Sequence, residues 1–79
     1  MKELSESINI QGFSTANQIN EISMAITKAL SGRSTKWISS SRIVASFAVS
    51  DAIKNGVRCR ITPVNENQDW EILIAPKNL

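Results

Sequence analysis

The sequence predicts a small α+β domain: a β-α-β-β-β chain with a mainly antiparallel, four-stranded sheet and one helix packed on one face. Three observations predict it. Apolar residues recur at helical spacing between Thr15 and Ser31. The C-terminal third alternates apolar and polar residues on both sides of a turn-rich centre. The chain has 79 residues, 42% hydrophobic and 20% charged, which suits one core and a single domain over 1–79.

The first strand is expected over Ser7 to Gly12, where Ile8 and Ile10 share one face and Gly12 supplies the bend into the helix. The helix follows from Thr15 to Ser31. Thr15 caps it, and Gln18, three residues on, reaches back to complete a capping box. Ile19, Ile22, Ile26, Ala29 and Leu30 form its apolar face. Lys28 suits the last turn, and Gly32 suits the left-handed position just past the end.

Ser39 to Asn55 reads two ways. As a strand, Ile43, Ala45, Phe47 and Val49 fall on one face. As a helix, Arg42, Ser46, Ser50 and Lys54 make a polar strip that Gly56 ends. Ile43 and Ile53 intrude beside that strip, and β-branched residues and serines lower helix propensity. The strand is therefore preferred, with Asp51 to Gly56 as a turn or one short helical turn. The C-terminal hairpin places Val57, Cys59 and Ile61 against Trp70, Ile72 and Ile74 around Asn65-Glu66-Asn67-Gln68. Two registers keep these faces together: Arg60 opposite Glu71, or Thr62 opposite Glu71. Pro63 fits an edge strand, and Pro76 stops the last one.

The expected core is Ile8, Ile10, Ile19, Ile22, Ile26, Leu30, Ile43, Phe47, Val49, Val57, Cys59, Ile61, Trp70, Ile72 and Ile74. The runner-up architecture is winged-helix-like, with the middle segment as recognition helix and the hairpin as wing.

The chemistry is bounded mainly by what the composition lacks. There is no histidine, the commonest general base near neutral pH and a common metal ligand. Cys59 is the single cysteine, so no intrachain disulfide forms. Strand alternation sends Arg58 and Arg60 to the face opposite Cys59, which marks the thiol as a small buried hydrophobe. The carboxylates follow no metal-ligand spacing. Gly12, Gly32 and Gly56 stand alone and form no phosphate-cradling loop. No nucleophile–base pair emerges, so the expectation is a protein that is not an enzyme, with no catalytic residue, metal or cofactor. Met1 to Gln11 lacks an apolar signal core, and no run is long enough to span a membrane. A soluble cytoplasmic protein is expected.

Charge is unevenly distributed. Residues 1–27 carry −2, residues 28–63 carry +6 and residues 64–79 carry −2, giving the net +2. The basic stretch holds Lys28, Arg33, Lys36, Arg42, Lys54, Arg58 and Arg60 against Asp51. In the strand reading, Lys36, Arg42, Arg58 and Arg60 share the sheet face away from the helix. Such a patch attracts phosphates and acidic protein surfaces alike. The tryptophans and Phe13 read as packing residues rather than base-stacking platforms.

The expected function is a protein-binding module, a stoichiometric inhibitor or adaptor of a larger partner. Lys36, Trp37, Arg42, Arg58 and Arg60 are its expected contacts. Its size and style match accessory proteins of phages and mobile elements, including inhibitors of bacterial defence systems such as CRISPR. This is an analogy of type and rests on no motif. The alternatives are a nucleic-acid-binding regulator using the basic patch, and a structural subunit whose sheet pairs with itself as a homodimer. A core in this size range supplies only about 3–5 kcal/mol, so docking or dimerisation is a natural supplement.

Overall fold

A computed structural model describes residues 7–77. Lys2, Glu3, Glu6 and most of the N-terminal stretch read for a signal core lie outside the described residues. The elements run β1 (Ile8–Asn9), α1 (Thr15–Leu30), β2 (Thr35–Ser39), α2 (Arg42–Asn55), β3 (Arg58–Val64) and β4 (Asp69–Ala75). The class is α+β, with two helices and a four-stranded mixed sheet of order β1-β2-β4-β3. β1 lies parallel to β2, whereas β4 is antiparallel to both β2 and β3.

α1 forms where its periodicity placed it, but its cap sits one residue early. Ser14 has extended backbone and its Oγ accepts from the Asn17 N–H at 3.2 Å. Gln18 therefore completes no capping box and turns inward instead. Gly32, at φ +101°, occupies the left-handed position past the helix end, where a β-carbon would be strained.

The middle segment is the main correction. Arg42 to Asn55 is a helix, and the second strand of the sheet lies ahead of it at Thr35–Ser39. The turn expected at Asp51 to Gly56 is the last turn of α2 and its cap. Both ends are well signalled: Ser41 Oγ accepts from the Val44 N–H at 3.2 Å, and Gly56 takes a left-handed φ of +71°. Val44, Ala45, Ala48 and Ala52 form the buried stripe. Alanine makes that stripe, so the large residues Ile43, Val49 and Ile53 fall outside it and blur the amphipathic pattern. The same small side chains let α2 approach α1, which presents Ala25 and Ala29.

Both helices pack against the sheet, leaving its other face uncovered by any described element. Ile10, Ile22, Ile26, Trp37, Val44, Ile72 and Ile74 fill the core, with alanines between them. Among the expected core residues, Ile8, Leu30, Ile43 and Val49 are exposed. Ile19, Phe47, Val57, Cys59, Ile61 and Trp70 pack against the core while only partly buried. The hairpin takes the register with Thr62 opposite Glu71. Its loop turns through three residues of positive φ: Asn65, Glu66 and Asn67. Pro63 lies on the outermost strand, where a missing backbone donor is tolerated, and β4 ends just before Pro76. The winged-helix alternative shares only the order of helix then hairpin. Here β3 and β4 belong to the larger sheet, and α2 rests on it.

Candidate functional surface on the open sheet face

The face of the sheet away from the helices is set by register. Trp37 pairs with Ile72, and Ile72 with Ile61, all turned toward the helices. Their neighbours therefore point the other way. Lys36 pairs with Leu73, and Leu73 with Arg60, making one row across β2, β4 and β3. The next row is Ile38, Glu71 and Thr62. Arg58 lies opposite Ala75 on the same face. Lys36, Arg58 and Arg60 thus lie around Leu73, which forms a short apolar strip with Ile38, while Ala75, opposite Arg58, is almost fully buried. A concavity of ≈ 300 Å³ opens there, lined by Arg58, Cys59, Arg60, Leu73 and Ala75. Glu71 is the carboxylate at the centre of this face, and it accepts a hydrogen bond from Ser7 Oγ at 2.7 Å.

Of the five expected contacts, the fold brings three together. Lys36, Arg58 and Arg60 share the open face because alternate residues of antiparallel neighbours project to the same side. Arg42 does not join them: it opens α2 on the opposite side of the sheet. Trp37 is only 2% exposed, and its indole Nε1 donates to Thr35 Oγ1 at 3.0 Å. It is a core residue and offers a partner nothing.

Cys59 points to the helix side, away from both arginines. Burial pushes its thiol up from 9.0 to about 11, so it is protonated at neutral pH. Among the described residues, no group of three His, Cys, Asp or Glu side chains is placed to hold a metal ion. No helix among them is long and apolar enough to cross a membrane.

A second surface had no clear signal in the sequence. On the helix side, along β3, the outermost of the described strands on that side, a groove of ≈ 590 Å³ runs beneath α2. Val49 and Ile53 form its upper wall, Ile61 and Trp70 its floor, and Arg42 and Ser46 its polar rim. Ile53 is 74% exposed. Only the helical reading of 39–55 places Arg42, Ser46, Val49 and Ile53 on one side, so the strand preference concealed the groove.

Comparison with protein families, curated proteins and solved structures finds no match to this chain.

Proposed function

We propose that this chain is a protein-binding module, acting as a stoichiometric inhibitor or adaptor through the open face of its sheet. One observation carries the reading: the row of Lys36, Leu73 and Arg60, with Arg58 beside it. Three cations beside an apolar strip, set against the one carboxylate of Glu71 in the neighbouring row, suit an acidic, amphipathic protein surface. The apolar strip excludes water while the charges orient the partner and hasten encounter. Sheets commonly bury a face under helices, as this one does on its other side. An acidic amphipathic helix is accordingly the element that fits.

Nucleic acid is the second reading, favoured by the same three cations and by the helical state of 42–55. Against it, the open face carries no aromatic side chain on which a base could stack. Trp37 and Trp70 both lie on the helix side.

The test compares the native protein with a Lys36→Glu/Arg60→Glu variant. The probe is a cross-linked helical peptide bearing leucines on one face and glutamates beside them. The native protein should bind it, and the double reversal should weaken binding by at least about tenfold, since it turns two attractive pairs repulsive. Equal affinity for both proteins contradicts the placement.

A further inference from the structure

β3 is the outermost strand of the sheet, and one side of its backbone faces no other described strand. An edge of this kind is a template for another strand. The two flanks of this edge differ sharply. Above it, on the helix side, lies the groove of Val49, Ile53, Ile61 and Trp70. Below it, on the open face, project Arg58, Arg60 and Thr62. Side chains of an added strand alternate between these flanks. The groove wall from Arg42 to Ile53 spans about 16 Å at about 1.5 Å per helical residue, the length of roughly five extended residues.

We propose that the outer edge of β3 takes up an extended peptide as a fifth strand, with apolar side chains at alternate positions and acidic ones between them. The apolar side chains enter the α2 groove, and the carboxylates lie beside Arg58 and Arg60. Main-chain hydrogen bonds to β3 supply affinity, and the two flanks supply specificity. Pro63 has no N–H to offer, which confines donation from β3 to its other residues and favours pairing along 58–62.

Charge decides against a second copy as the occupant. Two β3 strands paired about Ile61 would crowd Arg58 and Arg60 of both chains onto one continuous face. Each strand would also bring its own donor-less Pro63. An acidic strand avoids that like-charge crowding.

The inference rests on the protein-binding reading but adds a docking line separate from the open-face row. The probe is a labelled peptide of alternating valine and glutamate, about as long as β3, and a twin N-methylated at every second amide. The native protein should bind the first peptide and protect amides within 58–62 from hydrogen exchange. N-methylation on the pairing side should cost at least about tenfold, because it removes edge hydrogen bonds. Ile53→Asp should cost a similar factor, and this exposed site leaves folding intact. Lys36→Glu, two strands away, should change affinity by less than about twofold, since salt largely screens charge interactions beyond about 8–10 Å.

Loss of binding in Lys36→Glu, with no loss from N-methylation or from Ile53→Asp, places the peptide on the open face and overturns the inference alone. Binding of the helical peptide but not the strand peptide does the same. A native mass that rises with concentration and returns to one chain in Ile53→Asp gives the edge to a second copy and also overturns it.

Discussion

Ser39 sits between two partners at the junction of three elements. Its hydroxyl donates to Gln18 Oε1 at 2.6 Å and accepts from the Ser41 N–H at 3.0 Å. Gln18 Nε2 in turn donates to the Phe13 carbonyl at 2.9 Å. This chain ties the start of α1 to the end of β2 and the start of α2. Both Gln18 and Ser39 are buried. Ser39→Ala should therefore cost about 1–3 kcal/mol in denaturant unfolding, because the Gln18 carbonyl loses its donor in a dry site. None of this was legible in the sequence, where Gln18 looks like a cap partner and Ser39 like the start of the ambiguous segment that runs to Asn55. A polar residue's burial depends on elements distant in the chain, which local spacing does not report. Trp37, read both as a packing residue and as a partner contact, lies in the core, and Trp37→Ala should cost about 3–5 kcal/mol as a core cavity.

Cys59, by contrast, followed directly from strand alternation. Its raised pKa makes a specific prediction. Alkylation of the native protein should be slow at neutral pH and accelerate through a midpoint near 11 rather than 9.0. The sign for stability follows: the thiol's contribution is intact below pH 9.0. It is lost as pH rises toward 11, because the unfolded chain ionises first. A midpoint at the ordinary thiol value would place Cys59 in water.

At the scale of elements, legibility tracked how strongly side chain and backbone signals agreed. α1 has large residues on its buried face and a left-handed glycine beyond its end, so its position was clear. The hairpin has strict alternation and a polar turn. Its register was narrowed to two, and the fold selects the one that sets Thr62 beside Glu71. α2 hid because its buried stripe is mostly alanine and its conspicuous apolar residues line a groove or face outward. Its true signals were at the ends. Ser41→Ala should lose about 1 kcal/mol with the N-cap hydrogen bond. Gly56→Ala should lose a similar amount, since a β-carbon is strained at φ +71°. Both are measured by chemical denaturation with helix content followed by circular dichroism. If residues 42–55 were a strand, neither change would act through a helix end.

For the molecule as a whole, the two-layer arrangement creates both candidate surfaces. Helices on one side leave Lys36, Arg58 and Arg60 together on the other, and α2 overhangs the edge of β3 to make the groove. The basic middle of the chain was plain from charge counting. The separation of Arg42 from the other three cations was not, because it depends on which residues of 36–42 belong to strand and which to helix.

The most direct test of the central claim titrates labelled single- and double-stranded nucleic acid into the protein at low and near-physiological salt. A surface that serves a protein partner should show only weak binding at low salt. That binding should follow a shallow salt dependence of about two or three phosphate contacts, from Lys36, Arg58 and Arg60, and vanish near physiological ionic strength. Tight binding that persists there, with a steep slope from many phosphate contacts, would contradict the account and make the protein a nucleic-acid-binding regulator.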